Sequence, residues 1–296
     1  MVDVGWIYLN GEFVTKEKAV VSVFDHGFLY GDGIFEGIRA YHGRVFRLKD
    51  HIDRLYDSAA VIALQIPLTK EEMTQVVIDT CAKNELADSY IRLVVSRGPG
   101  DLGLNPRNCP KPTVVCIASK ITLYPAENYT NGLQIVTAST TRNAIGALNP
   151  RIKSLNYLNN ILARIEAFKS GAVEALMLND EGYVVECTGD NVFLWRDGKL
   201  LTPPAWMGAL EGITRKKVLE LAREMKIPVC EEPISRFDVY SADEMFLTGT
   251  AAELTPVVEV DTRKIGSGKP GPVFQRLLKA FQESTLVDGV EIPGLS

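Results

Sequence analysis

Two runs of mixed strand and helix signals, parted by one polar stretch, constrain this chain more than any other feature. In the first run, Trp6 to Val14 reads as a strand, a tight turn at Asn10-Gly11 and a second strand. Residues 49–64 carry Ile52, Leu55, Ala59 and Ile62 at helical spacing and read as an amphipathic helix. Thr69-x-x-Glu72 forms a capping box, in which hydroxyl and carboxylate each satisfy a free amide. It opens a second helix with Met73, Val76, Val77 and Thr80 inward. Strands follow at about 90–97 and 113–119, separated by GPGDLGLNP at 98–106, whose glycines and prolines make a loop. Such a loop either connects elements at the surface or carries function. The polar stretch KITLYPAENYTNG, at 120–132, reads as a linker. Beyond it come a strand at 133–139 and a helix at about 155–170, closed by Gly171. Strands at 174–179, 183–187 and 191–196 lead to a hairpin turn at Asp197-Gly198. A helix runs from Thr214 through Lys226 with Val218, Leu221, Ala222 and Met225 inward, before strands at 227–231 and 244–248.

The chain has 296 residues, 46% of them hydrophobic, enough for one large domain or two ordinary ones with separate cores. A net charge of −5 argues against nucleic-acid binding as the main function. The five cysteines (Cys81, Cys109, Cys116, Cys187, Cys230) form no Cys-x-x-Cys pair, so they read as reduced thiols of a cytoplasmic protein. Three histidines and no His-Glu-x-x-His predict no zinc site. The N-terminus has no basic segment and apolar run of a secretory signal. No stretch reaches the roughly 18 apolar residues of a membrane span.

Five segments carry candidate chemistry. Arg151-Ile152-Lys153-Ser154-Leu155-Asn156-Tyr157 puts a lysine at a strand-to-helix junction, and imine chemistry needs such an amine in an accessible, neutral form. A surface lysine is the plainer reading. In Val184-Val185-Glu186-Cys187-Thr188 a carboxylate ends an apolar strand; if buried it needs a cation, such as a protonated pyridine nitrogen. The competing reading is an exposed hairpin residue. Gly208-Ala209-Leu210-Glu211-Gly212-Ile213-Thr214-Arg215 opens a helix whose free amides and dipole favour a phosphate, or is an ordinary cap. Thr248-Gly249-Thr250-Ala251-Ala252-Glu253 brings small residues after a strand, either to approach a ligand or simply to turn. His51-Ile52-Asp53-Arg54-Leu55 offers Arg54 to a phosphate, or to Asp50 one turn earlier.

Together and in this order, the five segments resemble the class IV (fold type IV) pyridoxal-phosphate (PLP) aminotransferases, and among them the branched-chain amino acid aminotransferases. The resemblance runs from GFLYGDGIFEGIR at 27–39 to Thr255-Pro256. It implies an α+β, two-domain fold: a small N-terminal α/β domain over 1–120, a linker at 121–132, and a larger cofactor-binding domain of mixed β structure with flanking helices over 133–296. By resemblance, Lys153 carries the cofactor as an imine and shuttles the proton. Tyr157 meets the cofactor's phenolic oxygen and Glu186 its ring nitrogen. Arg54, Ile213, Thr214 and Thr250 hold the phosphate, with Leu210 packed on the ring. Tyr90 and Arg92 bind a substrate carboxylate, and Phe35, Gly37 and Tyr124 line the side-chain pocket. Ala251 and Ala252 also meet substrate. Tyr30 and Leu104 match residues that reach in from a neighbouring subunit, so the resemblance implies a homodimer or higher homo-oligomer. One departure stands out: the family often carries Trp three residues before the counterpart of Tyr124, and here that residue is Ile121.

The implied reaction moves the amino group of leucine, isoleucine or valine to 2-oxoglutarate in a ping-pong sequence. D-amino acid transaminases share the Lys-Ser-Leu-Asn run and the Gly-Ile-Thr-Arg turn, but are less similar at Tyr90-Ile91-Arg92 and at 249–253. An aminodeoxychorismate lyase uses the same cofactor and lysine but forms pyruvate. The apolar set Phe35, Tyr90 and Tyr124 suits a small aliphatic side chain better than its aromatic dianion. Outside this fold, Gly31-x-Gly33-x-x-x-Gly37 reads alternatively as a phosphate loop of a nucleotide-binding protein, but lacks the strand–helix context and following acidic residue of such a site.

Overall fold

The computed structural model describes residues 5–120 and 125–295. They fall into two compact units. The first comprises the residues before 121, Ile152–Asn156, and those from Thr285 onward; the second runs from 125 to Arg151 and from Tyr157 to Ser284.

The first unit begins with strands β1 (Trp6–Leu9) and β2 (Glu12–Thr15). Asn10 and Gly11 join them at φ 51° and 104°, the left-handed region that Asn-Gly tolerates. Then come α1 (His26–Tyr30), β3 (Gly33–Tyr41), β4 (Arg44–Val45), α2 (Leu48–Val61), α3 (Lys70–Lys83), β5 (Ser89–Ser96) and β6 (Thr113–Ser119). The strands form an antiparallel sheet in the order β4-β3-β5-β6-β1-β2. Side chains alternate across a strand. One face of β3 therefore carries Ile34, Glu36, Ile38 and Ala40, paired with Val95, Leu93, Ile91 and Ser89 of β5. This is the core face, and its apolar members pack with Leu48, Ile52 and Leu55 of α2 and Met73 and Val77 of α3. Each such fully buried aliphatic side chain contributes about 1.5–3 kcal/mol. The capping box forms as expected: Thr69 Oγ1 accepts from the Glu72 amide at 3.2 Å and Glu72 from the Thr69 amide at 2.7 Å.

The other face of β3 carries Phe35 and Gly37. Along its first residues runs a short piece of chain from far downstream: the Phe35 amide donates to the Lys153 carbonyl, and the Leu155 amide to that of Gly33, both at 2.9 Å.

The second unit holds α4 (Ala126–Asn131), β7 (Leu133–Thr137), α5 (Leu158–Lys169), β8 (Ala175–Leu178), β9 (Val184–Cys187), β10 (Asn191–Arg196), β11 (Lys199–Thr202), α6 (Ile213–Glu224), β12 (Val229–Glu231), α7 (Arg236–Tyr240), β13 (Glu244–Gly249), β14 (Glu253–Val260), β15 (Arg263–Lys264) and α8 (Pro272–Thr285). Its mixed sheet has the order β12-β11-β10-β13-β14-β7-β8-β9, with β15 on β14. A final strand, β16 (Val290–Glu291), returns to the first sheet beside β4. The architecture is the expected α+β one.

Two local expectations change. Residues 126–131, read as linker, form a helix that Pro125 introduces and Gly132 ends at φ 90°. The helix expected from about 155 starts at Leu158, because residues 153–155 are engaged along β3.

Candidate active site

In the first unit the backbone aims a lysine. The Lys153 carbonyl is held by Phe35 and its amide donates to Ser58 Oγ at 3.3 Å, which leaves Nζ 4.6 Å from the centre of the Phe35 ring. The Arg92 guanidinium lies 4.5 Å from the same ring, and its Nη2 donates to the Tyr90 hydroxyl at 2.9 Å. Gly37 is opposite Arg92 in register; a Cβ there would meet the Tyr90 hydroxyl oxygen at 2.2 Å. Only glycine fits. Five of the expected residues (Lys153, Phe35, Gly37, Tyr90 and Arg92) thus share one face of the sheet.

While Asp50 binds Arg47 at 3.3 Å, Arg54 pairs with an acid on β3. Its Nε and Nη2 donate to Glu36 Oε1 and Oε2 at 2.8 and 2.7 Å, and His51 Nδ1 donates to Oε2 at 2.7 Å. Glu36 and His51 are fully buried. Burial pushes the Glu36 carboxyl up, but the Arg54 charge and the bonds from Arg54 and His51 outweigh it and bring it down to about 2. Burial pushes His51 down, against the bond and charge of Glu36. Both folded values lie below the ordinary ones, so the unfolded chain takes up protons first on acidification. The Glu36 contribution is complete above its ordinary 4.5 and drains as pH falls toward about 2, on the order of 3 kcal/mol. His51 begins to cost stability below its ordinary 6.5. Urea melts between pH 7 and 3 should show this decline, and Glu36→Gln should flatten it below 4.5; parallel curves for the two proteins would refute the assignment.

Tyr30 and Leu104 lie toward solvent, 38% and 79% exposed. The Tyr30 hydroxyl donates to the Leu102 carbonyl, and His26 Nε2 to that of Asp101 at 2.9 Å, so α1 anchors the 98–106 loop. Tyr124 and Ile121 lie outside the described residues.

In the second unit Glu186 lies one residue before the end of β9, 5% exposed. Its Oε1 accepts from Arg142 Nε at 2.7 Å and its Oε2 from the Leu210 amide at 2.9 Å. Arg142 also donates to Asn159 Oδ1 at 3.0 Å, which ties this pair to the first turn of α5, two residues past the half-buried Tyr157. The Leu210 carbonyl accepts from Asn191 Nδ2 at 2.9 Å, and Asn191 Oδ1 would lie 2.0 Å from a Cβ on Gly212. Asn191 is paired in register with Thr248, which brings the small residues 249–252 alongside. Thr250 and Ala251 are half-buried; the Ala252 methyl is in the core and its carbonyl accepts from Thr255 Oγ1 at 2.8 Å.

This second set can be tested against a phosphorylated pyridine. No side chain caps α6 at Gly212, so the amides at Ile213 and Thr214 begin the helix without a capping partner. Thr248 Oγ1 is buried with no hydrogen-bond partner among the described residues. An uncapped helix N-terminus beside an orphaned hydroxyl suits a phosphate. Glu186, across Leu210, suits a ring N–H. The residues fit PLP. Among the described residues, no group of three or more His, Cys, Asp or Glu is placed to hold a metal.

Residues 33–260 match the family described as amino-transferase class IV. The chain belongs to the class IV aminotransferases. It is 53% identical over 286 residues to a Methanocaldococcus jannaschii protein named "Putative branched-chain-amino-acid aminotransferase", covering 97% of this chain and 98% of that one. The Pseudomonas aeruginosa branched-chain-amino-acid aminotransferase is 40% identical, over 94% and 92% of the two chains. Among solved structures, the Escherichia coli branched-chain amino acid aminotransferase superposes with a TM-score of 0.94 at 36% identity, over 99% and 98% of the chains. The Thermobaculum terrenum branched-chain amino acid aminotransferase in its PLP form gives 0.87 at 34%, over 96% and 95%. The family resemblance read from sequence is therefore borne out. In this aminotransferase Gly33 and Gly37 belong to the continuous strand β3 rather than to a phosphate loop.

Sequence reasoning missed Glu36, His51, Arg142, Asn159, Asn191 and Thr248. Only Glu36 has a local signal, an acid at core parity among Ile34, Ile38 and Ala40.

Proposed function

We propose that this aminotransferase transfers the amino group of L-leucine, L-isoleucine or L-valine to 2-oxoglutarate in a ping-pong exchange, with pyridoxal 5'-phosphate as cofactor. The observation that carries the reading is the Lys153 amine held beside Phe35 on the face that also bears Tyr90 and Arg92. The names of the similar proteins support it. Bound PLP supplies an aldehyde for the amino group and a protonated ring that draws charge from the substrate Cα.

The chain's own residues do the rest. Lys153 Nζ holds the cofactor at rest and then takes the proton from Cα. Glu186 keeps a proton on the ring nitrogen, and Arg142 and the Leu210 amide fix Glu186. Arg54, Ile213, Thr214 and Thr250 hold the phosphate, Tyr157 the phenolic oxygen, and Leu210 packs on the ring. Phe35, Gly37 and Tyr124 enclose an aliphatic side chain. Tyr90, Arg92, Ala251 and Ala252 bind carboxylates. Donors of both enantiomers tested against 2-oxoglutarate, with pyruvate release followed separately, decide among the fold's activities. L-branched-chain donors should lead; preference for the D series, or pyruvate formation, would replace the assignment. Arg92→Leu should lower kcat/KM for 2-oxoglutarate about 100-fold, the value of a charge-assisted pair, and that for 4-methyl-2-oxopentanoate far less. Equal losses would give Arg92 another part.

A homo-oligomer fits two apolar exposures, Phe28, Leu102 and Leu104 in the first unit and a stripe on α5 of Leu158, Ile161, Leu162 and Ile165 in the second. Tyr30 and Leu104 then serve a neighbouring copy. Sedimentation should give at least twice the single-chain mass; a monomer would remove this role. Five free cysteines suit the cytoplasm. No described helix is long and apolar enough to cross a membrane.

A further inference from the structure

Glu36 stands where sheet packing calls for a hydrocarbon. It shares the core face of β3 with Ile34 and Ile38 and lies opposite Leu93 of β5, all fully buried. An isosteric apolar residue would avoid the desolvation that such a carboxylate suffers. Packing therefore gives no account of the residue, but its bonds do. One oxygen takes Nε of Arg54, and the other takes both Nη2 of Arg54 and Nδ1 of His51. A fork-to-fork pair of this kind sets the plane of the guanidinium, which a single contact would leave free to turn. His51, one helical turn before Arg54 on α2, sets the carboxylate in turn.

We propose that Glu36 and His51 are positioning residues that hold Arg54 in advance as a rigid receptor for the cofactor's phosphate. The proposal rests on reading Arg54 as a phosphate ligand. Arginine has a long side chain with much rotamer freedom, and a receptor already immobilised loses none of it on binding. The charges make the idea decidable. An anionic Glu36 near a phosphate repels it, so on electrostatics alone Glu36→Gln tightens phosphate binding. If positioning dominates, the same change weakens it.

The test compares dissociation constants of PLP and pyridoxal for the full-length enzyme, read from the absorbance of bound cofactor after dialysis. Pyridoxal keeps the ring and aldehyde but lacks the phosphate, so the ratio of the two constants isolates the phosphate contribution. Arg54→Gln should cut the preference for PLP by about 100-fold, as loss of a charge-assisted pair does. Glu36→Gln should cut it about tenfold and His51→Asn severalfold, with pyridoxal binding nearly unchanged in both. Adding Glu36→Gln to Arg54→Gln should cause no further loss, because the two act through one group. An unchanged or increased preference in Glu36→Gln, with Arg54→Gln impaired, overturns the proposal alone. An unchanged preference in Arg54→Gln removes the phosphate reading beneath it as well. Should Glu36→Gln fail to fold, His51→Asn decides by the same criterion.

Discussion

Lys153→Ala should strip the purified protein of the visible absorbance of bound cofactor and lower turnover at least about 10,000-fold, since covalent attachment and proton transfer are lost together. The fold should survive. What holds residues 153–155 is backbone pairing with Gly33 and Phe35, which alanine keeps. The side chain's contact with the Phe35 ring is worth about 0.5–1 kcal/mol at an accessible site. Spectra, single-turnover rates and melting of the cofactor-free protein separate these effects. A variant that keeps both colour and rate would end the assignment of Lys153.

Glu186 should show two losses that its substitutions pull apart. Glu186→Ala leaves Arg142, itself 6% exposed, without its carboxylate, and removal of one partner from a buried pair costs about 3–5 kcal/mol. Glu186→Gln keeps the shape and an acceptor oxygen but loses the charge. Cofactor binding should then stay largely intact while Cα proton removal slows about 100- to 1,000-fold, the usual scale for removing one electrostatic stabiliser. Denaturant midpoints read the first effect and single-turnover rates the second. An unchanged proton-removal rate in Glu186→Gln would free Glu186 from the chemistry and leave it a structural partner of Arg142.

What could be read from sequence was local. The stripes of α2 and α6, the Thr69 capping box and the Asp197-Gly198 turn each depend on residues within a turn or two. Lys153, the acid on β9 and the opening of α6 were visible as residue types in suggestive places. Their partners were not. Arg142 meets Glu186 across 44 residues, and Glu36 meets Arg54 across 18, and no periodicity marks such a pair. The need for Gly37 emerges only once β3 and β5 are in register and Tyr90 fills the space above it. The start of α5 was misplaced because a non-local partner, β3, claims residues that favour a helix. The helix α8, with Phe274, Leu277 and Phe281 buried, was not read from the sequence at all.

Residues Ile152–Asn156 belong to one unit while Arg151 and Tyr157, their immediate neighbours, belong to the other. The amine we assign to the cofactor, that of Lys153, is thus encoded among residues that fold elsewhere. Recombination that exchanged residues 133–296 between relatives would carry the lysine codon but leave behind β3, the strand that orients it. Such chimaeras remain competent only where the inherited pentapeptide still pairs with a foreign Gly33 and Phe35, which ties the evolution of the two halves of the gene together.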